Sequence, residues 1–469
     1  MSRFYARPRV IDKAAPRNGT FGPDDQPCRR AVADAARTLA SRSALPPDRR
    51  RQDGPTRICH GEWVRSTARW FLLHGLVRIA TRRWAAEGDP QATLISDPSV
   101  RDDPYPLYER VRAAGPVSRT KIGHITASHE IANAVLRSDE FRVTSVAGSV
   151  APALRWAERV TRTGALHPLQ PPSLLSVEPP SHTRYRTLVS SVFTARAVAA
   201  MRADVQAVAD RLLDELTCDA KRDEPVDIVE RYCARLPVAV IGDILGVADD
   251  ERAQVLEFGE QAAPSLDVGL TYQQFRDVER GLAGFDRWLS AHLEQLRRAP
   301  GEDLMSRLIE ARVDGQRLDD EELRATAGLV LVAGFETTVN LLGNAVRLFV
   351  DHPDQLAVLQ QDPDRWPNAV DEVLRVESPV QLTARTARTT TQLAGRQIPQ
   401  GGLVAVLLAG ANRDPDLFDG PAAFDVTRSN ANRHLAFSGG RHYCLGAALA
   451  RLEGEIALRS LFTRYPRLA

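Results

Sequence analysis

Between residues 98 and 376, apolar side chains recur at three- and four-residue intervals in segment after segment, the spacing that lines one face of an α-helix. Helices are predicted near 104–114, 128–137, 181–216, 225–245, 249–263, 271–298, 302–312, 320–350, 353–361 and 366–376. Alternating, β-like stretches are few and clustered, near 116–127, 380–387, 391–398 and 402–407, with turns such as Pro399-Gln400-Gly401-Gly402 between them. The helical period returns after Gly446 in ALARLEGEIALRSLF. There is no internal repeat and no composition break after residue 98, so the pattern predicts one large domain, 87–469, mainly α with a small β region.

The front of the chain follows neither pattern. Trp63, Trp70, Val77 and Trp84 stand seven apart among Arg65, Arg69, Arg78, Arg82 and Arg83, which predicts a basic amphipathic helix over 61–86. Charges interrupt its apolar run too often for a transmembrane segment. Two placements stay open: packed on the body of the protein, or in weak contact with an anionic membrane surface. Residues 1–60 hold 13 Arg/Lys against 6 Asp/Glu, with seven prolines and no apolar period, and read as a disordered basic N-terminal arm. No signal-peptide run follows the first charges, and a cytoplasmic location is expected.

The chain has 469 residues, 43% of them apolar, enough to bury a large core and to exclude an intrinsically disordered protein or a disulfide-stapled miniprotein. Lys plus Arg (61) nearly cancels Asp plus Glu (60), so no overall field would hold nucleic acid. The cysteines, at 28, 59, 218, 233 and 444, form no CxxC pair. That spacing argues against a disulfide framework or a structural zinc site and suits a reducing compartment.

Two segments carry candidate chemistry. Ala325 to Val346 has one charged side chain, Glu336, and as a helix would run about 33 Å. Glu336, Thr337, Thr338 and Asn340 at its centre disfavour a bilayer span and favour a helix through a soluble core. Glu336 is either paired with a buried Arg or part of a proton-delivery pair with the hydroxyl beside it. The Thr337 hydroxyl can reach the carbonyl of Ala333, and with Gly334 adjacent the helix can open into a groove wide enough for a diatomic molecule. The second segment is FSGGRHYCLG, Phe437 to Gly446, ahead of a helix. Its glycines permit close backbone approach, and helix-start amides favour a thiolate at Cys444, a candidate metal ligand. It lacks the lysine of a phosphate-binding loop.

FSGGRHYCLG, AGFETT at 333–338 and Glu372-Val373-Leu374-Arg375 resemble, in order and spacing, the three signatures of bacterial, actinobacterial-type cytochromes P450. His182 and Arg186 in PPSHTRYR, Arg385 in PVQLTARTA, ANRDP at 411–415 and FDVTR at 424–428 agree, and the resemblance spans about residues 90 to 469. It implies the P450 fold, haem b, and monooxygenation of an apolar small molecule with O2 and electrons from separate partners, a ferredoxin and its reductase. In this light Cys444 is the thiolate ligand of the iron, with Phe437 packed near the sulfur and Ala333 in the distal groove. His182, Arg186, Arg385 and His442 hold the haem propionates; Glu372, Arg375 and Arg428 form a buried structural cluster.

Glu336 and Thr337 match the family's acid and alcohol pair, the expected catalytic residues, which deliver protons for O–O cleavage. Phe335, residues 379–384 and the loop from about 142 to 177 are expected around the substrate, with Gln381 and Thr383 as polar handles. Arg184, Arg441 and Arg451 are candidates for docking an acidic ferredoxin, or else solvated surface charges. A haem-thiolate sensor and a peroxide-driven hydroxylase are the rival functions; the peroxide-driven relatives usually carry Arg and Pro where Glu336 and Thr337 stand. The short stretch from Cys444 to Ala469 departs from the family, which usually continues into a further C-terminal strand pair; an open pocket wall is the expected consequence.

Overall fold

The computed structural model describes residues 66–144, 167–168, 170–220, 226–312 and 314–468. The basic arm of residues 1–60 lies outside them, as does most of the 142–177 loop. Residues 66–86 form helix α1, which carries a π-turn at Phe71–Gly75. Then come α2 (Pro90–Ser96), α3 (Tyr105–Ala113), strands β1 (Ser118–Arg119) and β2 (His124–Thr126), α4 (His129–Arg137) and β3 (Phe141–Val143). The helical body is α5 (Ser181–Val192), α6 (Ala195–Ala200), α7 (Arg202–Ala220), α8 (Arg235–Leu245), α9 (Arg252–Ala262), α10 (Tyr272–Arg298), α11 (Leu304–Glu310), α12 (Asp320–Asp351), α13 (Pro353–Gln361) and α14 (Trp366–Val376). Strands β4 (Thr383–Ala387), β5 (Thr391–Leu393), β6 (Arg396–Ile398) and β7 (Leu403–Val406) precede the final helix α15 (Ala447–Arg464).

The mainly helical expectation holds, and most helix boundaries fall within a few residues of the apolar period; the single helix expected over 181–216 is broken into α5, α6 and α7, and that expected over 225–245 opens with a π-turn at Val229–Cys233 ahead of α8. Local chemistry explains several of them. Both long helices start in capping boxes, Thr271 with Gln274 and Asp319 with Glu322, which satisfy backbone N–H groups that a helix start leaves free. Helix α12 is long and apolar enough, by length and composition, to cross a membrane. Here it threads the core instead, against α8, α9, α10, α14 and α15, with Leu342 and Ala345 fully buried.

The β region is a five-stranded sheet in the order β1-β2-β7-β4-β3 and a separate β5-β6 hairpin. Only β2 and β7 run parallel, with Ile125 opposite Ala405. β4 pairs antiparallel with β7 on one side and β3 on the other, placing Arg385 opposite Val404 and Val143. The sheet therefore fixes Arg385 at the edge of the helical body, beside the loop that carries Cys444.

Candidate functional site

The Cys444 loop is shaped by short-range backbone geometry. The Cys444 N–H donates to the Phe437 carbonyl at 3.0 Å, closing a tight turn ahead of α15. Gly440 has φ +66°, and a Cβ there would lie 2.4 Å from the Leu136 carbonyl of α4, so the loop can meet that helix only with glycine. The partner of this close approach is thus protein backbone. Arg451 stands over the Phe437 ring, 4.7 Å from its centroid, and Phe437 packs 6.2 Å from Tyr443.

Cys444 itself is an exposed residue, two positions before the Gly446 cap of α15. Packing around the thiol pushes its pKa up, opposed by a hydrogen bond from the Gly446 backbone and by the charges of Arg186 and Arg451. The helix start alone therefore does not produce a thiolate, and a bound cation is what would hold the sulfur ionised.

Above this loop, His182 on α5 and His442 face each other with ring centroids 4.3 Å apart. Both are buried, and the Nε2 atom of each lacks a hydrogen-bond partner. His442 Nε2 lies 3.7 Å from Glu178 Oε1, beyond hydrogen-bonding range. Burial pushes the His182 pKa down to about 4, with His442 and Arg186 adding to it, and burial also lowers that of His442. Arg385 is buried too, its pKa brought down to about 10 by burial. It donates to Thr383 Oγ1 (3.0 Å) and the Ala384 carbonyl (2.9 Å), with Ser438 Oγ at 3.4 Å. Two unpartnered buried imidazole nitrogens and a buried guanidinium are costly unless an anionic, multi-oxygen group joins them. A pair of carboxylates fits that requirement. Arg186 lies elsewhere: its Nη1 donates to the Tyr443 carbonyl at 2.8 Å, next to Cys444.

Helix α12 carries the acid and alcohol. The Thr337 hydroxyl donates to the Ala333 carbonyl at 2.6 Å, the back-bond predicted by the four-residue spacing. Glu336 is half-buried, with no ion pair among the described residues, and burial raises its pKa. A carboxyl of this kind exchanges protons nearer neutral pH than a surface glutamate does.

Glu372 and Arg375 on α14 are completely buried and joined by two bonds, Nε to Oε2 at 2.7 Å and Nη2 to Oε1 at 2.8 Å. Arg375 also donates to the carbonyls of Asn412 (3.0 Å), Pro421 (2.7 Å) and Ala423 (2.8 Å). Arg428 completes the cluster at 3.1 Å from Glu372 Oε1, where the Asp425 N–H also donates. The helix is thereby pinned to the 412–428 segment behind the Cys444 loop.

Several assignments read from sequence shift. Gln381 is tied at both ends, its Nε2 to the Ser378 carbonyl and its Oε1 to the Tyr108 hydroxyl, and is not a free handle for substrate; Thr383 accepts from Arg385 and keeps its own O–H to donate. Arg184 pairs with Glu322, Arg441 with Asp139 and Glu178, and Arg451 with Asp371, so none is a bare surface charge. Two acids went unread. Glu178 accepts from the Val143 N–H (2.7 Å) and from Arg388, joining β3 to the His442 cluster. Asp371 takes both Arg451 (2.7 Å) and His434 (3.2 Å), bracing the Cys444 loop against α14. The available signal for Glu178 was its place four residues before His182, ahead of the Pro179-Pro180 turn.

A cysteine loop closed against α4, a buried pair of imidazoles short of acceptors, and an acid and alcohol on the long core helix define a haem-thiolate oxygenase. The cytochrome P450 family model matches residues 135–368 and 366–466, and the chain belongs to that family: it is a cytochrome P450 monooxygenase with haem as cofactor. It is 54% identical over 400 residues to cytochrome P450 140 of Mycobacterium bovis, covering 85% of this chain and 91% of the relative. It is 37% identical over 396 residues to cytochrome P450 107B1 of Saccharopolyspora erythraea, covering 81% and 92%. Among solved structures, P450BioI in complex with hexadec-9Z-enoic acid ligated acyl carrier protein superposes with a TM-score of 0.69 at 31% identity, covering 78% of this chain and 92% of that one.

Proposed function

We propose that this monooxygenase inserts one oxygen atom of O2 into an apolar small organic molecule, with electrons supplied by a separate ferredoxin and ferredoxin reductase in the cytoplasm. The observation that carries the reading is the pairing of Cys444, in its closed loop, with the Glu336–Thr337 step on the core helix. When bound, haem supplies the iron at which O2 is activated. Cys444 would be its thiolate ligand, and His182, His442 and Arg385 would hold its propionates, which answers the two orphaned Nε2 atoms. Arg186, held against the Tyr443 carbonyl, places a positive charge near the Cys444 sulfur and favours its ionised form.

The Thr337 hydroxyl spends its proton on the Ala333 carbonyl, which fixes its oxygen on α12 as an acceptor that would orient an incoming water. Glu336, with its raised pKa, would be the group that hands on protons from solvent. Phe335, buried against Gly259 of α9, and the partly buried Val380 keep the surroundings apolar. Between α10 and α12, beside His167 and Pro168, lies a small apolar cavity of about 20 Å³. The proposal is tested by screening apolar compounds for a shift of the haem Soret band, then assaying hits for O2- and reductase-dependent hydroxylation. Turnover with peroxide alone, and none with O2 and the redox partners, would overturn it.

A further inference from the structure

Helix α1 carries two faces with different partners. Its inner face is committed to the protein. Trp70 Nε1 donates to the Leu270 carbonyl at 2.8 Å, Arg78 Nη1 donates to the Gly269 carbonyl at 2.6 Å, and Arg69 pairs with Glu279 on α10. Trp70 also packs edge-on against Tyr272, with centroids 5.6 Å apart. Packing on the body, one of the two placements open for this helix, accounts for this half of it.

The outer face is apolar and open to solvent. Phe71, Leu76 and Ile79 are 45%, 42% and 62% exposed, and Val268, in the loop that Arg78 grips, is 57% exposed. Among the described residues seven large apolar side chains are exposed; three of them lie on this helix, and Val268 adjoins Gly269, whose carbonyl Arg78 of the helix holds. The alignment is built in. In the π-turn the Leu76 N–H donates to the Phe71 carbonyl, so a five-residue step brings the two side chains into line where an α-turn would rotate them apart. A Cβ on Gly75 would sit 2.9 Å from Phe71 Cδ2, so glycine is what lets that ring lie along the helix. One turn beyond Ile79 stand Arg82 and Arg83, both exposed; residues 66–86 contain no Asp or Glu, and the capping Glu87, which Arg83 reaches at 3.4 Å, is shared with Lys121.

We infer that this patch docks the protein on an anionic bilayer surface, with Phe71, Leu76, Ile79 and Val268 entering the acyl boundary and Arg82 and Arg83 meeting lipid phosphates. An apolar stripe ended by guanidinium groups, with basic residues outnumbering the one capping acid, matches a surface that is apolar beneath and negative above. The helix lies in the plane of the surface, and the attachment is reversible, as expected for a few inserted side chains.

The test is co-sedimentation of the full-length haem-loaded protein with phosphatidylglycerol/phosphatidylcholine vesicles and with phosphatidylcholine vesicles alone. The wild type should bind the anionic vesicles. Both F71S/L76S/I79S and R82E/R83E should bind them about tenfold or more weakly, from lost apolar transfer and reversed charge respectively. All the substituted side chains are exposed, so far-UV dichroism and the Soret band should stay unchanged and show that folding is intact. Because residues 1–60 are themselves basic, wild-type affinity in F71S/L76S/I79S would assign the binding to that segment and overturn the inference. Equal binding to both vesicle types would overturn it too, as would a patch-dependent dimer that binds no vesicle.

Discussion

Replacing Arg375 with leucine removes five hydrogen bonds from a site with no solvent: two to Glu372 and three to the carbonyls of Asn412, Pro421 and Ala423. What remains is a fully buried Glu372 carboxylate held by Arg428 at 3.1 Å and the Asp425 N–H at 3.0 Å. Breaking one partner of such a pair costs about 3–5 kcal/mol, chiefly because the other charge is left buried. With an unfolding entropy of about 2 cal/mol/K per residue over ~400 folded residues, that is a fall of roughly 4–6 °C in Tm. The assay is thermal unfolding of the haem-loaded protein followed by both far-UV dichroism and the Soret band. The Soret transition should fall at least as far as the dichroism, because the pinned segment lies behind the Cys444 loop. A single-variant loss below about 1 kcal/mol would refute the reasoning.

Thr337→Ala should leave haem and substrate binding intact while diverting reducing equivalents to hydrogen peroxide; a peroxide-release assay with unchanged coupling would remove Thr337 from proton delivery. Gly440→Ala forces a side chain onto a φ of +66° and into the Leu136 carbonyl, so it should cost about 2 kcal/mol or more and weaken haem retention, read as a shifted Soret melting curve. Glu453 is buried on α15, with no cationic partner among the described residues, and burial pushes its pKa up to about 8. A carboxyl raised in the folded state imposes no charge-burial cost below the unfolded value near 4.5, and stability falls as pH rises from there through about 8. Glu453→Gln should flatten that decline, so the variant's advantage in urea unfolding should grow across this window by a few kcal/mol at most; a constant difference would show the carboxyl is not titrating there. Arg451→Ala should loosen the Cys444 loop through loss of its contacts to Asp371 and the Phe437 ring, and so should lower haem affinity as well as any partner-dependent reduction rate.

The features readable from sequence are those whose physics is local. The apolar period places α10, α12 and α14, their polar starts place the caps, and a four-residue step places the Thr337 hydroxyl on Ala333. The Glu372–Arg375 pair and its third member Arg428 were visible because motifs fix them in order along the chain. What escaped depends on contacts between distant segments. Strand β3 is three residues long and has too few positions to show an alternation; β4 defines it from 240 or so residues away along the chain, with Val143 opposite Arg385. Gln381 and Thr383 are polar residues in an apolar stretch, a pattern that cannot separate a substrate contact from a bond to Tyr108 or Arg385. Arg451 has the spacing of a surface helix position, yet it faces Asp371 on α14. Packing around the sulfur likewise raises the pKa of the Cys444 thiol, which helix position alone would have lowered.

The central claim is that Cys444 supplies the thiolate to the haem iron, and the most direct measurement is the absorption spectrum of the reduced, carbon-monoxide-bound protein. The wild type should show the red-shifted Soret band of a thiolate-ligated haem, and a variant with Cys28, Cys59, Cys218 and Cys233 changed to serine should keep it. Cys444→Ala should lose that band while retaining the far-UV dichroism of the fold. Persistence of the thiolate band in Cys444→Ala would contradict the account.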